Sequence, residues 1–154
     1  MNKVRKAFRS NSKGVGLIEV LIALAILGIV AVAFLGGLST SLKAVFISDE
    51  RSTAQSLAQS QMEYVKNQDY ITNDVQAEYL KLNSSDIPSG YDIKSLDRNG
   101  NVFDDGEHII GVPWDTENGQ PSTNDEGIQK ITIAVEHNGN EVLTLEDYKV
   151  NRYD

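Results

Sequence analysis

The chain has 154 residues and a net charge of −8, with 22 acidic side chains against 14 basic ones, and it has no cysteine. That length suits one domain plus a segment, and the missing cysteine excludes disulfides and zinc-thiolate sites. Lys3, Arg5, Lys6, Arg9 and Lys13 make residues 1–14 basic with no acid, so setting those five charges aside takes the remainder from −8 to −13, which argues against nucleic-acid binding.

The basic residues 1–14 lead into an apolar run, 15–38, whose only ionisable residue is Glu19. About 20 helical residues cross a bilayer core of ~30 Å, so the run is long enough to span. The basic flank places the N-terminus in the cytoplasm and the acidic remainder outside. A carboxylate in lipid costs roughly 2.5 to 3.5 kcal/mol at a helix centre on an insertion scale, and less near an end. Glu19 therefore calls for a partner. A secretory signal peptide cut after Ala31-Val32-Ala33 is one reading of this segment. Against it stand the glutamate and a run longer than the usual ~7 to 15 apolar residues. A plain signal anchor is a second reading, and it leaves Glu19 without a purpose.

Past Leu38 the pattern turns amphipathic. Leu42, Val45, Phe46, Ala54, Leu57, Ala58, Met62 and Val65 recur at helical spacing among polar residues. The spacing predicts one helix from 15 to about 68, ~80 Å long at 1.5 Å per residue. Its first part, 15–38, is the apolar run long enough to span a membrane, and 39–68 is an amphipathic continuation. Residues 69–154 then form a small globular head. In it Val75, Tyr79, Leu80 and Leu82 suggest a short helix within 70–82. Residues 83–90 read as a loop, 91–96 as a strand and 109–112 as a short strand. The clearest β signal is a hairpin over 128–151. Ile131, Ile133 and Val135 alternate with polar or small residues, Asn138-Gly139 is a turn dipeptide, and Leu143, Leu145, Tyr148 and Val150 follow. The fold class expected is α+β, a long helix packed on a small antiparallel sheet.

The segment 97–127 is rich in Asp, Asn and Gly. Asp97, Asn99, Asn101 and Asp105 stand at positions one, three, five and nine of a calcium-loop spacing. Val102 occupies the position of that loop's glycine, and His108 that of its bidentate glutamate. A calcium site is thus one reading and a solvated loop of turn formers the other; no other cofactor is expected. Trp114, preceded by Pro113, reads either as an anchor of this loop on the core or as an exposed contact residue. His108 and His137 are the only histidines, no nucleophile elbow, phosphate loop or zinc-protease motif occurs, and an enzyme is not expected.

Residues Gly14-Val15-Gly16-Leu17-Ile18-Glu19-Val20-Leu21 resemble the class III signal peptide of type IV pilins and type II secretion pseudopilins. The likeness lies in a basic leader ending in glycine, Glu19 as the fifth residue after it, and the long aliphatic helix that follows. It implies cleavage between Gly14 and Val15 by a prepilin peptidase, N-methylation of the new amine at Val15, and an assembly role for Glu19 opposite the N-terminal amine of a neighbouring subunit. Val15 stands where phenylalanine is usual in that family and Gly16 where threonine is frequent. Gly36-Gly37 sits near the place of a helix-softening proline. The absence of cysteine removes the disulfide-closed loop of many major pilins. The function implied is a structural subunit, a minor pilin, of a type IV pilus-like filament, held in the cytoplasmic membrane before joining a surface filament. Its implied partners are other pilin subunits, the peptidase, an inner-membrane assembly platform and, before assembly, membrane lipid. A pseudopilin of a type II secretion system is the alternative within the family. A signal-anchored calcium- or glycan-binding module is the alternative outside it.

Overall fold

The computed structural model describes residues 15–152, with side chains described from Gly16 onward. Two compact units, Met1–Val45 and Phe46–Asp154, make up the chain. One helix, α1 (Val15–Asn67), runs through both, within a residue of the end expected from the sequence. Strong helix formers and the absence of proline before Pro88 keep it continuous. Lys66 in the last turn and a Gln68 N–H···O=C Val65 bond of 3.2 Å close its C-terminus.

Among the described residues of the first unit, 16–45, the helix buries no side chain. Leu17, Ile29, Val32 and Phe34 are among a near-continuous set of exposed apolar side chains. A methyl group added at Gly28, Gly36 or Gly37 would meet open space. Thr40 Oγ1 donates to the Gly36 carbonyl (3.1 Å) and Ser41 Oγ to the Gly37 carbonyl (3.0 Å). Side-chain bonds of this kind compete with the helix ladder and favour bending.

The second unit joins the last turns of α1 to a curled, wholly antiparallel sheet. Its strands are β1 (Ala77–Leu80), β2 (Tyr91–Leu96), β3 (Val102–Phe103), β4 (His108–Asp115), β5 (Gln120–Pro121), β6 (Ile128–His137) and β7 (Asn140–Val150). β6 organises the sheet. Along one edge it pairs with β7 over its whole length. Along the other it pairs with β4 through Gln129–Ile131 and with β2 through Ile133–His137. The β6–β7 turn is Asn138-Gly139 with φ of 51° and 78°, the left-handed pair that a two-residue hairpin matching strand twist requires.

Alternation along the strands divides the sheet into two faces. Ile93, Ile109, Ile131, Ile133, Val135, Ala77 and Tyr79 pack against Ala54, Leu57, Ala58, Met62 and Val65 of α1 in one buried cluster. Each large apolar side chain so buried contributes about 1.5 to 3 kcal/mol. The packing leaves no room at Gly111, where a Cβ would lie 2.7 Å from both Gln129 Oε1 and Tyr79 Cε2. A register shift beside Val135 and Glu136 turns the later part of β7 so that Leu145, Asp147 and Lys149 oppose the inward residues Ile133, Ile131 and Gln129.

That shift delivers Lys149 to the end of α1. The ammonium is buried and donates to the carbonyls of Val65 (2.7 Å), Lys66 (3.3 Å) and Gln68 (2.5 Å), using all three of its donors. It lies 4.9 Å from the Tyr79 ring centroid. Burial pushes it below the ordinary lysine range, Asp69 opposes that shift, and Arg152 adds to it. At the other end of the packed helical segment, Glu50 Oε1 bonds His137 Nδ1 (2.6 Å), with Tyr91 stacked on the imidazole.

One sequence expectation is overturned here. The helix expected within 70–82 is absent, and residues 77–80 form β1. Ala77 and Tyr79 point inward and Glu78 and Leu80 outward, a period-two pattern that the nearby Val75 and Leu82 obscured. Pairing with β4 decides the outcome, and α1 completes it. Gln68 bonds Leu80 N (2.8 Å) and O (3.0 Å), and Gln61 bonds Leu82 N (2.8 Å) and Leu80 O (3.2 Å). These amides satisfy the edge of β1 that has no strand neighbour. Residues 97–127 carry β3, β4 and β5 between their turns.

Candidate processing and assembly site

The residues that the sequence singles out for processing and assembly stand at the start of α1. Gly14 lies outside the described residues, as do the basic residues before it. Val15 is the first residue of the helix; its side chain lies outside the described ones. Glu19 follows one turn later, on the same face as Val15, since residues four apart are neighbours on a helix surface. It is exposed, and so are Leu17, Ile18, Val20, Leu21 and Ile22 around it.

The electrostatics of this site are simple. The first turn of α1 holds no acid, and no basic residue occurs between Val15 and Leu38. α1 is long and apolar enough to cross a membrane, and none of its most apolar stretch is buried within the chain. A carboxylate among such side chains lies in a low-dielectric setting once lipid or other apolar helices cover it, and a lone charge there is disfavoured. The partial positive charge of the helix N-terminus compensates in part, but this effect fades beyond the first turn.

Residues 9–35 match the prokaryotic N-terminal methylation motif. The chain carries a type IV pilin-like class III signal peptide. The match covers residues 9–14 and the first 21 residues of α1, so Gly14, Val15 and Glu19 all fall inside it. A motif of this kind supports a prepilin-type substrate of a pilin or pseudopilin system, and it implies processing by prepilin peptidase, membrane anchoring and assembly with other pilin subunits. No curated protein and no solved structure matches the chain.

The residues of the calcium-loop spacing separate into two turns. Asp97 accepts from the backbone N–H groups of Asn99 and Asn101 (both 2.8 Å) and from Asn101 Nδ2 (3.3 Å), in the turn between β2 and β3. These bonds, led by that to the Asn101 amide, hold its carboxyl below the usual range. Asp105 lies beyond β3. It accepts from Glu107 N (2.9 Å) and His108 N (2.7 Å) and meets His108 Nδ1 at 2.7 Å. The Glu107 amide first, then the His108 ring, lower its pKa to about 2. Among the described residues no group of three or more His, Asp or Glu side chains is placed to hold a metal ion.

Several structural residues escaped the sequence reading. Lys149 was not singled out, because the register shift that turns it inward has no short-range signature. Arg98 looked like part of a polar turn. It instead donates through Nη2 to the carbonyls of Asp74 (2.7 Å), Val75 (3.2 Å) and Ser122 (2.6 Å). Trp114 is not part of the core cluster; it lies half-buried on the sheet face opposite α1.

Proposed function

We propose that this protein is a minor pilin, a structural subunit of a type IV pilus-like filament. The observation that carries the reading is the methylation motif of residues 9–35 on a helix whose apolar surface has no cover within the chain. Cleavage between Gly14 and Val15 creates an α-amine, which is then N-methylated, at the head of α1. Glu19 pairs with the Val15 amine of an adjacent copy and sets the axial register between subunits. Opposite charges about 4 Å apart attract by about 4 kcal/mol at an effective dielectric of 20, comparable with the cost of placing the carboxylate in an apolar surround. The basic residues 1–14 keep the N-terminus cytoplasmic before cleavage, and residues 46–154 lie on the other side. An inner-membrane platform then draws the subunit out of lipid and into the filament.

Support for a minor rather than a major subunit comes from Val15 and Gly16 in place of the usual residues and from the absence of cysteine. Mass analysis of the mature protein from cells with a prepilin peptidase tests the processing step, with methylated Val15 as the expected N-terminus. An intact Met1 or a start after Ala33 overturns it. Glu19→Ala should be cleaved and inserted normally yet be lost from sheared filaments. Its recovery there at the wild-type level sinks the pairing.

A further inference from the structure

The face of the sheet that α1 does not cover carries a cleft of about 270 Å³. Leu96, Val112 and Pro121 give it apolar surface, Trp114 gives it an aromatic wall, and the β2–β3 turn, Asp97 to Gly100, forms its rim. Lys130 sits 4.5 Å from the Trp114 ring centroid and bonds Glu146 at 2.9 Å. Tyr148 approaches the same indole at 6.4 Å between centroids.

The charges in this cleft are balanced and already occupied. Asp97 and Glu146 offset Arg98 and Lys130. Asp97 is held by the amides of its own turn. One Arg98 nitrogen is consumed by three carbonyls. An anion would find no unpaired lysine here, and a cation would find no free carboxylate pair. What remains open is of another kind. Thr132 and Asn99 line the cleft with no side-chain hydrogen bond among the described residues. An aromatic wall with neutral donors and acceptors around it suits a ligand that has one apolar face and a rim of hydroxyls.

We propose that this cleft binds a neutral glycan, one or two sugar rings stacked on Trp114 and hydrogen-bonded to Thr132, Asn99 and the free oxygen of Glu146. Its volume, just below the ~300 Å³ of the smallest typical ligand sites, fits a short segment of sugar rather than a large molecule. The site is independent of the assembly role of α1.

The protein reports on the cleft itself, because Trp114 is the only tryptophan in the chain. The full chain, held in micelles of a zwitterionic detergent without sugar headgroups, is titrated with neutral oligosaccharides: chitotriose, cellotriose and maltotriose. The expected result is a saturable change in Trp114 emission with at least one of them. Calorimetry should then show binding weakened about tenfold in Trp114→Leu, the size of one lost aromatic contact, and weakened also in Thr132→Val and Asn99→Ala. Both variants should melt as the wild type does, since Asn99 is exposed and Thr132→Val replaces a buried side chain by one of similar size. No saturable response to any of the three sugars up to 10 mM, a response to inorganic phosphate alone, or undiminished binding in Thr132→Val and Asn99→Ala each overturns the proposal.

Discussion

Asp105 and His108 stand three residues apart between β3 and β4, and each alters the other's titration. The carboxyl is lowered from 3.8 to about 2, chiefly by the Glu107 amide and then by the His108 ring. The imidazole is raised above its ordinary 6.5, first by its bond to Asp105. A carboxyl with a lowered folded pKa stabilises the fold above its ordinary value, and that contribution is lost as pH falls towards 2. An imidazole with a raised folded pKa stabilises it below 6.5, and that contribution is lost as pH rises through the folded pKa. The two overlap between about 3.8 and 6.5. Both groups are largely solvated, so screening keeps the effect small. Asp105→Asn should bring His108 back towards 6.5, as read by NMR titration of the ring; an unmoved His108 would show that the contact is not made in solution. In the sequence Asp105 stood out only as a position in a calcium-loop spacing. Its bond to His108 was not, because a turn of that kind depends on where β3 ends.

At the scale of elements, the β6–β7 hairpin was the most legible part of the chain, since Asn138-Gly139 and the alternation on either side specify turn and strands together. β1 was the least legible. Four residues carry too little pattern to outweigh their neighbours, and their strand state rests on β4 along one edge and on Gln61 and Gln68 along the other. The C-terminus of α1 is likewise decided by another element. Lys149 reaches it from β7 and satisfies carbonyls that the helix cannot. Lys149→Met keeps the apolar stem and removes the donors, leaving the Lys66 and Gln68 carbonyls without this partner and the Val65 carbonyl with the Gln68 N–H alone. A loss of about 1 to 3 kcal/mol is expected, measured by urea denaturation of the protein in micelles. A loss below 0.5 kcal/mol, the usual range for surface changes, would mean that water replaces the ammonium at the helix end.

For the whole molecule, the decisive contrast is between the two units. Every residue of the hydrophobic cluster lies at or beyond Ala54, and the Glu50–His137 contact also falls inside Phe46–Asp154. The apolar residues from Leu17 to Val45 contribute nothing to that core and remain exposed. Residues 46–154 produced alone should therefore be soluble, monomeric on gel filtration and cooperative in thermal melting, whereas the full chain should require detergent. A non-cooperative melt of the isolated unit would show that the first half of α1 supports the fold.

The sequence by itself determined the signal segment, the extent of α1 and the terminal hairpin. Each is written in local terms: a basic stretch before an apolar run with one glutamate, a helical period without proline, and a two-residue turn between alternating strands. Only the tertiary structure decided the strand state of β1, the inward turn of Lys149 and the grouping of Trp114, Thr132 and Asn99 around one cleft. Those depend on contacts between residues tens of positions apart and on a single register shift in β7, and pairings at such separations leave no periodic trace in the chain.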